Sequence, residues 1–208
     1  SFSTDGSSLN TFPQLPGTLE EVTNINEVLS NQDWDVNLYV AGDAAEERVK
    51  EVTDASILHI ASHGFFKEVG NTQSLAETMI QSGIVLSGAN DDIIKEEDGI
   101  LTAFEVLNMD LDSTQLVVLS ACETGLGSMG QSEGIYGLQR AIRVAGADNI
   151  IMSLWKVDDT STQQIMSFFY QEWLHTGNMH LAFRNAQIKL REQYPQPYHW
   201  GAFILAGK

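Results

Sequence analysis

The sequence has one cysteine, four prolines, and 11 lysines and arginines against 28 aspartates and glutamates. A lone cysteine forms no internal disulfide and completes no multi-cysteine zinc pattern, so disulfide scaffolds and zinc ribbons are excluded and the reducing cytoplasm is the expected location. No apolar run approaches the roughly 20 residues of a membrane span, and no basic stretch followed by an apolar one opens the chain. The net charge of −17 repels phosphate, so neither a nucleic acid nor an anionic bilayer is an expected partner, whereas a basic partner is favoured. What the chain does have is apolar material: 43% of its 208 residues are hydrophobic, enough for one packed domain and too much for a disordered chain. It begins at Ser1 without an initiator Met, which reads as a piece of a longer protein.

Residues 1–17 are polar and turn-rich, with Pro13, Pro16 and Gly17, and read as a linker or lead-in segment; the domain is expected over 18–208. Thr18 is expected to cap a helix reaching about Leu29, with Glu21 as its capping-box partner. A short strand is predicted over 36–40, a helix over 44–52 and a buried strand over 56–62, followed by a long polar, Gly-containing region to about Asp98. The runs 116–119 and 149–154 are short, continuous and β-branched, the pattern of strands covered on both faces. Between them Ile135, Leu138, Ile142 and Ala145 fall at helical spacing, with Gly146 as a stop. Ile165, Phe168, Phe169 and Trp173 mark another helix, Met179, Ala182, Phe183, Ala186 and Leu190 a further one, and a last strand is expected near 202–205. Strands alternating with helices imply a three-layer α/β domain with its ligand site beyond the carboxyl ends of the strands.

Three apolar runs end in chemically useful residues: His63-Gly64, Cys122-Glu123-Thr124-Gly125, and Lys156-Val157-Asp158-Asp159. If the strands are parallel neighbours, a histidine and the only cysteine meet at one rim. A free thiol is only a few per cent thiolate at neutral pH, so a nucleophilic cysteine gains from an imidazole that takes its proton. The glycines after each residue let the chain turn and present N–H donors to an oxyanion. Each residue alone reads as a buried thiol or a satisfied strand-end histidine; their joint placement favours the catalytic pair. Asp158 and Asp159 read equally as acids at a helix N-terminus and as a rim that receives a basic side chain.

Other patterns are weaker. Gly125-Leu126-Gly127-Ser128-Met129-Gly130 matches the dinucleotide fingerprint in letters, but three residues separate the strand from its first Gly, and Asp158 follows the last Gly by 158 − 130 = 28 residues instead of about 20. His59 and His63 would be about 13 Å apart along a strand and cannot share a metal. His175, His180 and His199 have no matching ligands, no Gly-x-Ser-x-Gly elbow is present, and the acids at 91–92 and 96–98 lack calcium-loop spacing. No metal or cofactor is expected.

The stretches Leu58-His59-Ile60-Ala61-Ser62-His63-Gly64-Phe65-Phe66 and Ser120-Ala121-Cys122-Glu123-Thr124-Gly125-Leu126-Gly127 resemble those of the CHAT domain, a caspase-like cysteine peptidase of the caspase, separase and clostripain group. Asp98 to Ala103, Glu133-Gly134, Ser153 to Asp159 and Tyr198 to Phe203 extend the resemblance over roughly residues 15–207. The resemblance implies a three-layer caspase-like fold with a mainly parallel central sheet flanked by helices. It further implies Cys122 as nucleophile, His63 as general base, and the backbone N–H groups of Gly64 and Cys122 as oxyanion donors. Substrate would be held by Asp159 with Asp158 beside it, and by Trp155 and Ser153; Lys156 stands where separase-like relatives often carry an acid. The implied activity is cysteine endopeptidase cleavage of a protein substrate through a thioester, after a basic P1 residue. Fused helical repeats and bacterial defence or programmed-death systems are the implied setting. The alternative is a caspase-fold interaction or adaptor module whose dyad is inactive or unassembled, with sulfur and imidazole on opposite faces of the sheet.

Overall fold

The structure is a computed structural model that describes residues 12–66, 75–91, 97–123 and 131–207, with the backbone alone for 66, 75, 77, 78, 121–123 and 131–135. Helix α1 (Pro16–Ser30) leads through a 3₁₀ turn (Ala41–Asp43) and α2 (Glu46–Lys50) into β1 (Ile57–Phe66). Next come α3 (Leu75–Ile80), β2 (Ser82–Val85), β3 (Ile100–Thr102), α4 (Ala103–Val106), β4 (Leu116–Glu123), α5 (Gln131–Val144) and β5 (Asn149–Ser153). The chain closes with α6 (Asp159–Thr176), α7 (Met179–Gln193), α8 (Pro197–Trp200) and β6 (Phe203–Gly207).

One six-stranded sheet runs β3-β2-β1-β4-β5-β6. The central trio β1, β4 and β5 is parallel, β2 and β6 run against it, and β3 runs with it. The continuous apolar runs have the meaning expected of doubly covered strands. Val117, Leu119, Ile150 and Met152 pack on one face with Leu138, Ala141 and Ile142 of α5. Leu116, Val118 and Ile151 pack on the other with Ile25 and Leu29 of α1 and Ile165 and Phe169 of α6. The three-layer α/β fold follows: helices are placed on both faces because both faces of the central strands are apolar.

Three local expectations change. Residues 36–40 form no strand; Leu38 and Tyr39 face solvent, Tyr39 lies under the Arg48 guanidinium 5.6 Å away, and Val36 packs against the core. The region before Asp98 is not merely a loop, since it supplies α3 and β2, elements of six and four residues that are too short to show a period. Helix α1 starts at Pro16, where proline's fixed φ suits the first turn, and not after Thr18, whose hydroxyl donates to the Leu15 carbonyl.

Gly146 stops α5 as expected, with φ +116°. A Cβ there would strike the Asp112 side chain and lie 2.7 Å from the Asp112 backbone nitrogen. The Gly146→Ala protein should therefore lose about 2 kcal/mol of stability, the scale of one strained backbone position. A urea midpoint that falls at unchanged slope is the expected result; an unchanged midpoint refutes it.

Candidate functional site

His63 and Cys122 are paired directly across the junction of β1 and β4, in a register that runs unbroken from Ile57↔Leu116 to Gly64↔Glu123. Parallel strands lie about 4.8 Å apart, so this register places the histidine and the cysteine at neighbouring backbone positions on the same level of the sheet. The Cys122 sulfur lies outside the described residues, as do Thr124 to Gly130, which include the Gly-rich loop.

His63 is 7% exposed. Its Nε2 lies 2.7 Å from the Pro13 carbonyl oxygen. A carbonyl only accepts, so Nε2 carries the hydrogen and, in the neutral ring, Nδ1 is the basic nitrogen. The ring is flanked by Phe12, centroids 5.9 Å apart. Phe12 is itself fixed by Asn90, whose side-chain oxygen accepts from the Phe12 N–H at 2.9 Å and whose amide donates to the Phe12 carbonyl at 3.0 Å. The lead-in to α1 thus forms part of the histidine's environment. Sequence reasoning missed Pro13 and Asn90: the first acts through a carbonyl that every residue type has, and the second sits in a turn with nothing to mark it.

Gly64 does not begin a turn. β1 continues to Phe66, and Gly64 has ladder partners in Ile84 on one side and Glu123 on the other.

The acids after β5 occupy distinct places. Asp158 is the N-cap of α6: it accepts from the Ser161 N–H at 3.0 Å and the Ser161 hydroxyl at 2.8 Å, and His199 Nδ1 lies 2.9 Å from its Oδ2. Burial pushes this carboxyl up, but the hydrogen bonds from Ser161 and His199 outweigh it and hold Asp158 below the usual carboxylate range. Asp159 starts α6 and lies against the backbone of α1, so close that a Cβ on Gly17 would stand 2.6 Å from the Asp159 Cβ. Pro13 and Gly17 belong to one short segment, which therefore touches His63 at one end and Asp159 at the other. Trp155 is half-exposed and donates its indole N–H to the Tyr198 carbonyl at 3.1 Å, which docks it on α8. Ser153 is buried at the end of β5, opposite Phe203.

Beneath His63 a closed polar network lies on the same face of the sheet. Glu21, 3% exposed, accepts from His59 Nε2–H at 2.9 Å and from the Ser120 hydroxyl at 2.9 Å, while Tyr170 Oη lies 3.0 Å from His59 Nδ1. Burial, reinforced by the charge on Glu21, raises the Tyr170 pKa, so its hydroxyl stays a donor to His59 Nδ1. Glu21 is thus turned into the sheet and is no capping-box partner; the signal was its place one turn before Ile25 and two before Leu29 on the buried stripe of α1.

Among the described residues no group of acidic, histidine or cysteine side chains is arranged to hold a metal ion, and no helix is long and apolar enough to cross a membrane. The chain is 26% identical to mouse Tetratricopeptide repeat protein 28 and 24% identical to its human counterpart, each over 93% of this chain. It spans only 8% of the length of either relative. The CHAT domain family matches residues 2–208, its match taking in the β1 and β4 ends that bring His63 and Cys122 into register. On that match the chain belongs to the CHAT domain family, which is related to the caspase-like peptidases.

Proposed function

We propose that the domain is a cysteine endopeptidase in which Cys122 is the nucleophile and His63 the general base. The observation that carries this reading is the direct register of His63 with Cys122 on adjacent parallel strands, with His63 held by the Pro13 carbonyl. A nucleophile next to a base that a third group orients is the general arrangement for covalent catalysis. Nδ1 of His63 takes the thiol proton, and the sulfur adds to the scissile carbonyl. The resulting oxyanion is assigned to the backbone N–H groups of Gly64 and Cys122. As the C–N bond breaks, the imidazolium returns its proton to the leaving amine and leaves a thioester on Cys122. Water, deprotonated by His63, then attacks the thioester to release the acid and regenerate the thiol.

Asp159 is the acid assigned to a basic P1 side chain, with Asp158, Trp155 and Ser153 around it. Asp158 contributes chiefly by capping α6, because both its oxygens already have partners. The name of the relatives supports an associated helical repeat module, and regulated cleavage in a bacterial defence or death pathway is the setting proposed from the family resemblance.

A panel of fluorogenic peptides that differ only at P1 tests this. Turnover of Arg and Lys peptides, lost after alkylation of the sole cysteine, is expected. A preference for Asp overturns the role of Asp159, and failure to turn over any peptide favours the adaptor reading.

A further inference from the structure

The network of Glu21, His59, Ser120 and Tyr170 takes no part in the proposed reaction, yet a buried glutamate on an apolar helix stripe needs a reason. Hydrophobic packing through Ile25 and Leu29 would hold α1 on the sheet, but apolar contacts are non-directional and tolerate a slide along the sheet. Hydrogen bonds are not so tolerant: donor and acceptor must meet within a few tenths of an ångström and near linearity. Glu21 makes two, one to His59 on β1 and one to Ser120 on β4. These are the two strands that carry the dyad, and the contacts fall four residues before His63 and two before Cys122. Its own helix begins at Pro16, three residues after the carbonyl that holds His63.

We infer that Glu21 is a positioning residue: it clamps α1 to β1 and β4 so that the Pro13 carbonyl stays on His63 Nε2 and the imidazole keeps Nδ1 as its basic nitrogen. The clamp is fully satisfied, each of its polar atoms having a partner, so it contributes specificity of placement without leaving a buried donor unpaired. Tyr170 of α6 closes the network behind His59 and fixes its tautomer. The inference rests on the proposed dyad, and its test is chosen so that the two can fail separately.

The sole cysteine makes that test possible without a substrate: the rate of Cys122 alkylation by iodoacetamide is followed against pH. In the parent protein the midpoint should lie below that of an ordinary thiol, near 8.5, and move back toward it in the His63→Ala protein. Glu21→Leu should reproduce that move and slow alkylation at pH 6.5 about tenfold, in step with the thiolate fraction. Glu21→Gln should restore the parent profile, because its amide oxygen still accepts from His59 and its nitrogen donates to a turned Ser120 hydroxyl. Leu190→Ala, a buried change in α7, controls for general destabilisation and should leave the midpoint in place. Should Glu21→Leu not fold, Ser120→Ala removes one arm of the clamp and should slow the reaction at pH 6.5 about threefold. A folded Glu21→Leu or Ser120→Ala protein with the parent midpoint overturns the inference, as does a shift in Leu190→Ala equal to theirs. A parent midpoint identical to that of His63→Ala overturns the dyad and the clamp together.

Discussion

The Cys122→Ala protein is expected to keep only a residual trace of the parent's peptide cleavage, and His63→Ala to lower kcat/KM by about 10²–10⁴, the usual worth of a positioned general base. The two losses should not add. With no thiol there is no acyl-enzyme for the imidazole to serve, so the double variant should match Cys122→Ala alone. Non-additivity separates a working dyad from two residues that each support the fold, since independent structural effects would sum. Thermal unfolding of each variant completes the measurement. His63 is buried, but its ring donates to the Pro13 carbonyl, and loss of the ring frees that carbonyl without orphaning a charge. Undiminished peptide cleavage by Cys122→Ala, or additive losses, would sink the assignment.

The central strands were legible because they are buried on both faces and so carry uninterrupted β-branched runs; Leu116 to Leu119 and Ile150 to Met152 behave as their sequence suggests. The residues at the carboxyl ends of such runs pointed to His63 and Cys122, and the strand register makes the two adjacent in the backbone. The edges were less visible. Ser82 to Val85 and Ile100 to Thr102 pair as β2 and β3 through backbone hydrogen bonds, over lengths at which no alternation can be counted. Residues 36–40 show the opposite error, an apolar run that pairs with nothing among the described residues. Glu21 shows a third: a Thr-x-x-Glu spacing fits a capping box, but a box needs the helix to start at the threonine, and Pro16 starts it two residues earlier. Once that start is known, the glutamate falls on the buried stripe and its partners must be sought across the sheet.

The largest effect on stability is expected at Lys50, which only the i,i+4 spacing of Glu46 and Lys50 marks in the sequence. Its Nζ lies 2.6 Å from Glu46, 2.6 Å from Glu97 and 3.0 Å from Glu105. Glu46 is 1% exposed and also accepts from the Gly99 N–H, while Glu105 closes a capping box with Thr102 at the start of α4. One ammonium therefore ties α2 to the segment that enters β3 and α4. Burial lowers the Lys50 pKa, but hydrogen bonds to the three carboxylates outweigh it and raise it, so the lysine is charged at neutral and mildly acidic pH alike. Burial raises the Glu46 pKa, Lys50 opposes the rise, and the neighbouring Glu97 and Glu105 add to it. Lys50→Met removes the cation that, among the described residues, faces these acids and leaves a buried carboxylate against two others. Breaking such a site from one side costs about 3 kcal/mol, the low end of the range because Lys50 is about a quarter exposed. The direction of the Glu46 shift sets the sign with pH. An acid whose pKa is raised by folding binds more protons in the folded state, so stability falls as pH rises through the interval between its unfolded and folded values. Without Lys50 that interval widens upward. The deficit of Lys50→Met against the parent should thus be greatest at neutral pH and shrink as the solution is acidified and Glu46 takes up its proton. Urea unfolding of both proteins at pH 7.5 and pH 5.5 measures it, and Glu46→Gln in the Lys50→Met background should recover part of the neutral-pH loss. A deficit below about 0.5 kcal/mol would reduce the cluster to an ordinary surface ion pair. A deficit that stays constant with pH would mean that the lysine's methylenes, and not its charge, hold α2 in place.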